Sequence, residues 1–378
     1  MEQNHIGRSP GSITSGSTAS QKPTGTQPGR APREIAAFER AGHLPDARRL
    51  PHLYKACAND PRSLRILGQM QRQYEPEQYL VFDMFEPDDA HALLKKWTQC
   101  GLLVSLRVDL DHQPNREALK EYLPSENCPI RHLMVVDGYY KSLFGELAEA
   151  MGRNKSVSLS RLSGAITSND EGLRSLLKGL ASSGVSKLIL EDCLNRKMDG
   201  SLIDLMQSGT IGNLVVSEFP DGMLAAVKDL QTAGKKCHLQ HLTLKLTDNA
   251  LKASLGAAAH YKNNKAAPDT KEQAMAMKRI PQELAFALAQ IEVVHLTLSA
   301  HFLFNQNVLG ALHLQLENAL HENHSMLKID FHPTDLYSRE KIETSSEAAV
   351  FKTLTTPFLQ RNRQEYEREQ QRLLEDRV

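Results

Sequence analysis

Short aliphatic runs recur along the chain, each separated from the next by a longer, mixed stretch. Leu80-Val81-Phe82 is the first, followed by Leu106-Arg107-Val108, Leu133-Met134-Val135, Val157-Ser158-Leu159 and Leu188-Ile189-Leu190. Leu214-Val215-Val216, Leu242-Thr243-Leu244, Leu296-Thr297-Leu298 and Leu327-Lys328-Ile329 continue the series. Successive starts lie 24 to 31 residues apart, except for one step of 54, twice the usual spacing. Runs this short with alternating inward positions predict strands. The stretches between them carry apolar residues at i, i+3, i+4 and i+7, as in Ala90, Leu93, Leu94 and Trp97, or Leu173, Leu176, Leu177 and Leu180. Leu143, Phe144, Leu147 and Ala148, and Met223, Leu224 and Val227, follow the same helical stripe. One strand–turn–helix–turn unit cannot bury both of its apolar faces; stacked units can. The pattern therefore predicts an α/β fold, a leucine-rich-repeat-like solenoid (horseshoe) with a parallel concave sheet, convex helices and helical caps. A doubly wound domain also alternates strands and helices. Its βαβ unit usually needs about thirty residues or more, and no glycine-rich loop follows the first strand here.

Particular residues carry a family resemblance. Leu316, Leu320, Asn323, Leu327 and Ile329 resemble the half-repeat of ribonuclease-inhibitor-type leucine-rich repeats, and Leu188-Ile189-Leu190-Glu191-Asp192-Cys193 looks like the strand segment of the same repeat. The resemblance covers roughly residues 77–332. It implies that the Asn or Cys side chain points inward and ties the turn after the strand. Most units lack that residue: the Leu106 unit offers Asp109-Leu110-Asp111, and the Leu214 unit offers Ser217-Glu218. Phe358-Leu359-Gln360-Arg361-Asn362-Arg363 resembles the helical half-repeat that closes bacterial arrays.

The flanks differ in composition. Residues 1–32 are rich in Ser, Thr, Gly and Pro and are expected to be disordered, since they bury too little apolar surface to offset ordering entropy. The GxSxG match at Gly7–Gly11 lies in that leader, without the strand and helix a nucleophile elbow requires. Such a leader is similar in style to that of type III secreted effectors. Residues 33–76 read as a helical N-terminal cap, with Ile35, Phe38, Leu53, Leu64, Leu67 and Met70 at helical spacing and Pro45, Pro51 and Pro61 dividing it. The array spans 77–335 with an insertion near 257–282, either a loop or a unit that lost its strand. Residues 336–378 form a C-terminal cap with a charged tail. Lys plus Arg and Asp plus Glu both number 45, which argues against a general nucleic-acid binder or a polybasic membrane-surface protein. No apolar run reaches the ~18 residues of a membrane span, and no h-region marks a Sec signal peptide. The expected location is cytoplasmic, or a host cell after secretion.

Candidate chemistry is sparse. The five cysteines form no CxxC pair and read as reduced, buried thiols, with Cys128 and Cys237 each five residues before a strand leucine. Cys237-His238-x-x-His241 is the best metal-like cluster, yet alternation places its two histidines on different faces, and no second cluster sits at zinc spacing. His321 and His324 stand at i, i+3, not the i, i+4 of HExxH. His295, His301 and His313 are scattered. No catalytic residue, metal site or cofactor is assigned. The concave face is expected to bind another protein, through Arg107, Asp109, His132, Asp137, Lys187, Glu191, Glu218, Thr243, Lys245, Thr297 and Lys328. Alternatives are an enzyme with an unrecognised Cys/His site, or a ubiquitin-ligase adaptor. Leu44-Pro45-Asp46-Ala47-Arg48-Arg49-Leu50 resembles the opening of an F-box, although Pro51 interrupts the helix that should run on from it.

Overall fold

The computed structural model describes residues 31–46, 48–74, 79–137, 143–164, 170–194, 198–246, 270–301, 315–334 and 346–375. The leader expected over 1–32 therefore lies almost wholly outside the described residues, as do 257–269 of the expected insertion and His313. Among the described residues, nine strands form one open parallel sheet in strictly sequential order. They are β1 Leu80–Val81, β2 Val104–Asp109, β3 Ile130–Val136, β4 Leu159–Ser163 and β5 Lys187–Glu191. β6 Asn213–Glu218, β7 His238–Leu246, β8 Glu292–His301 and β9 Lys328–Thr334 complete it. The architecture is α/β.

Strand alternation fixes which side packs. Leu106, Val108, Leu133, Val135, Leu188, Leu190, Leu214, Val216, Leu242, Leu244, Leu296 and Leu298 are buried on one face. They sit in register, Leu106 beside Leu133, Leu188 beside Leu214, and Leu242 beside Leu296. The helices between strands supply the facing layer: α4 Pro87–Gln99, α5 Gln113–Tyr122, α6 Ala148–Arg153, α7 Asp170–Ala181, α8 Ile203–Gln207, α9 Pro220–Ala233 and α10 Thr270–Gln290. Consecutive helices also pack on one another. At α6–α7 they do so closely enough that a Cβ on Gly179 would fall 2.2 Å from the Ala148 carbonyl oxygen, so only glycine fits.

One expected strand is displaced. Val157 is buried, but it precedes β4, and Leu159 pairs with His132 on the opposite face. Ser160 and Leu162 take the core positions instead. Across the double-length step β7 pairs directly with β8, so no strand stands between them in the sheet. Helix α10 begins at Thr270, so the latter part of the expected insertion is helical.

The ends are helical. α1 Ala31–Ala41, α2 Leu50–Ala56 and α3 Pro61–Tyr74 precede the sheet, with Pro51 and Pro61 in the first turns of their helices, where proline costs no hydrogen bond. Tyr54 meets Trp97 edge-on at 5.4 Å. Its hydroxyl donates to Gln71 Oε1 (3.3 Å), and Gln71 exchanges bonds with the Ser105 backbone at 3.1 and 3.3 Å. Gln71 thus joins the helical end to the second strand. At the other end, helix α11 (315–322) precedes β9, and α12 Ser346–Glu375 carries Phe358–Arg363 and the charged tail as one helix.

Several turns from helix to strand bury backbone groups that no strand pairs, and side chains take them. Asn323, fully within the core layer, donates to Leu288 O (2.6 Å) and Ile291 O (3.1 Å) of the preceding turn. Its Oδ1 accepts from Ser325 N (3.1 Å) and Met326 N (3.0 Å) of its own. Asn362 repeats the outward half of this one turn later, donating to Asn323 O and Met326 O at 3.0 and 2.8 Å. Asn154 donates to Leu123 O (2.6 Å) and accepts from Ser156 N and Val157 N at 3.0 and 2.7 Å. Ser183 fills the corresponding turn with a shorter reach, bonding Leu180 O and Val185 N. These residues tie the turn before the strand, not the one after it as the family resemblance implies.

Removing such a side chain leaves several buried groups unpaired. Asn323→Ala and Asn154→Ala are each expected to cost about 2–4 kcal/mol in urea unfolding. Exposed Asn127→Ala should stay within about 0.5 kcal/mol. Equal midpoints for all three would contradict this role.

Candidate functional site

The face of the sheet opposite the leucines carries three in-register rows of side chains, half-buried or exposed apart from the buried Ser105, Ser217 and Thr243. The first runs Ser105, His132, Leu159, Lys187, Asn213, His241, His295, Lys328. The second runs Arg107, Met134, Arg161, Ile189, Val215, Thr243, Thr297, Asp330. The third includes Asp109, Val136, Ser163, Glu191, Ser217, Lys245 and Ser299. The middle of the face carries Met134, Leu159, Ile189 and Val215, with Ile189 beside Val215 and Arg161 between Met134 and Ile189. It is crossed by a bidentate pair, in which Arg161 donates to both Glu191 carboxylate oxygens at 2.8 and 2.6 Å.

Toward β7–β9 the face becomes polar. The His241 and His295 rings stack in parallel, with centroids 4.1 Å apart and planes 9° from one another. His241 Nε2 lies 2.9 Å from Thr297 Oγ1 and 3.2 Å from Thr243 Oγ1. His295 Nε2 lies 2.8 Å from Asp330 Oδ2, which also accepts from Lys328 Nζ at 2.6 Å. Burial, then the charges of His295 and Lys187, hold the His241 pKa below the usual histidine range. The contacts of Lys328 and His295 outweigh burial and hold Asp330 below the usual carboxylate range.

Nine of the eleven residues expected on this face are there: Arg107, Asp109, His132, Lys187, Glu191, Thr243, Lys245, Thr297 and Lys328. Thr243 is nearly covered by its neighbours. Glu218 and Asp137 are not. Glu218 ends β6 with no exposure and accepts from Cys193 N (3.3 Å) and Leu194 N (3.2 Å), bracing the loop after β5 from beneath. Asp192, with φ +49°, turns that loop inward. Asp137 follows β3, is 6% exposed and accepts from Leu143 N at 2.7 Å. Both lie on the packed side of the sheet, in step with Val216 and Val135, and their carboxylates serve loop backbones.

Sequence reasoning did not select His241 or Asp330 for this face, nor pair His241 with His295. The signal was present: His241-Leu242-Thr243-Leu244 and His295-Leu296-Thr297-Leu298 are the same tetrapeptide on adjacent strands.

The metal-like cluster does not assemble. Cys237 is buried, His238 is exposed and pairs with Glu292 at 2.6 Å, and His241 lies on the open face. Among the described residues, no group of three or more His, Cys, Asp or Glu could hold a metal ion. Four of the five cysteines are buried. Burial pushes the thiols of Cys57 and Cys237 up to about 11 and about 12. Those of Cys128 and Cys193 rise for the same reason. Thiols so held are poor nucleophiles. His321 and His324 are exposed on the helical side, the first edge-on to Phe358 and the second 2.7 Å from Glu365. No described helix is long and apolar enough to cross a membrane. Set beside known proteins, the chain matches no family model and no curated protein.

A third buried carboxylate, Asp229 of α9, accepts from Gly200 N and from Leu202 N (2.9 Å). Burial raises its pKa to about 6 despite those bonds. The folded protein therefore holds this proton more tightly than the unfolded chain. Asp229 should make stability fall as pH rises from the usual aspartate range to about 6, and have no further effect above that. Urea midpoints measured against pH should lose this component in Asp229→Asn. An unchanged pH slope in the variant would contradict the assignment.

Proposed function

We propose that the chain is a leucine-rich-repeat-like solenoid that serves as a non-enzymatic protein-binding scaffold and holds its partner on the open sheet face. The carrying observation is the sheet itself: nine parallel strands in sequential order, with leucines packed on one side and continuous rows of mixed side chains on the other. Right-handed crossovers between strands taken in that order place every connection on one side, the layout of a horseshoe. Side-chain rows that cross many strands give a wide recognition surface without any single pocket.

The central apolar patch around Ile189 and the polar flank at β7–β9 suit an interface with an apolar centre and a polar rim. The leader's resemblance to secreted effectors supports a host protein as the partner.

Photo-crosslinking side chains placed one at a time at Arg107, Ile189 and Thr297 test this reading in a lysate of candidate host cells. The exposed helix positions Lys178, Asp204 and Thr232 serve as controls. The same partner band should appear from all three sheet positions and from none of the controls. Crosslinks confined to the helix positions would overturn it.

A further inference from the structure

Resting on the protein-binding reading above, we propose that the open face of β5–β9 docks an extended acidic segment of the partner, whose carboxylates are received by Lys187, Asn213, His241, His295 and Lys328 with Lys245 beside them. The first five stand in one in-register row on adjacent strands. At ~4.8 Å per strand that row is about 19 Å wide, the length of about six residues of extended chain.

The charge left over on these strands is positive. Glu191 is closed by Arg161, and Asp330 by Lys328 and His295. Glu218, the other acid expected on these strands, is buried beneath a loop, and Glu292 at the start of β8 pairs with His238. Lys187 and Lys245 form no ion pair among the described residues. Both histidine rings are oriented through Nε2, His241 by the two threonines and His295 by Asp330. Their Nδ1 atoms have no hydrogen-bond partner among the described residues. A fixed ring with one free nitrogen is a preorganised donor once protonated.

Docking should therefore be coupled to a proton. His241 faces His295 from β8, Lys187 from β5, Asn213 from β6, and Lys328 and Asp330 from β9, with Thr243 and Thr297 at its Nε2. That surrounding, on balance, disfavours the charged ring in the free protein. An arriving carboxylate reverses the balance, so binding takes up a proton and tightens as pH falls.

The test uses the full chain with carbon-13-labelled histidine, titrated at low salt with octaglutamate, octaglutamine or oligouridylate. Octaglutamate should move the ring resonances of His241 and His295, and octaglutamine should not. Its affinity should rise up to about tenfold per pH unit across the His241 titration. Lys187→Glu and Lys245→Glu, each with its unfolding midpoint checked, should weaken it about tenfold. His241→Gln should bind without the pH dependence. The proposal is overturned by absent shifts, equal shifts with octaglutamine, binding indifferent to charge reversal, or oligouridylate binding as tightly. Crosslinks from the sheet positions together with silent histidines would discard this inference alone. Responsive histidines with crosslinks only from helix positions would discard the scaffold reading instead.

Discussion

The structure depends on how its helix-to-strand turns are satisfied. A parallel strand pairs its neighbours along its own length, but the turn that feeds it enters the core with carbonyls and amides unmatched. Asn154, Asn323 and Asn362 answer this with one planar amide, which donates to the turn before, and, in Asn154 and Asn323, accepts from the turn it occupies. Buried polar groups left unpaired cost more than paired ones gain, so these few side chains fix the spacing of successive units. The loop after β5 is braced by a mirror device, a buried carboxylate from the next unit, in which Glu218 accepts from the Cys193 and Leu194 backbone. The helices cover one face of the sheet, and its other face carries rows of mixed polar and apolar side chains.

Much of this was legible in the sequence. All nine aliphatic runs touch strands of the sheet, because a core-facing leucine every second residue is a physical requirement of a strand packed on one side. The misplacement at Leu159 shows the limit. Leu159 and Leu162 are both apolar, and only the pairing of Leu159 with His132 decides that Leu162 faces the core. Similarly, the chemistry of Thr270–Pro281 does not separate a loop from a helix that packs on α9; tertiary contact settles it.

The site was less legible, for a different reason. Alternation placed Arg107, Lys187 and Thr297 on the open face, since a strand has only two sides. Glu218 and Asp137 were expected there against alternation, which puts them in step with Val216 and Val135 on the packed side, where loop backbones take their carboxylates. Alternation could not say which charges cancel. Arg161 with Glu191 and His295 with Asp330 are neighbours only through register, and the stacking of His241 on His295 joins residues 54 positions apart.

The central claim is that one sheet face is packed and the other is open along its length. Thiol-labelling rates of single cysteines, introduced in a Cys100→Ser background, test it most directly. Cysteines replacing Arg107, Met134, Ile189 and Thr297 should react in the native state. Those replacing their neighbours Val108, Val135, Leu190 and Leu298 should react only as fast as the protein unfolds. Similar native-state rates at both sets would contradict the account.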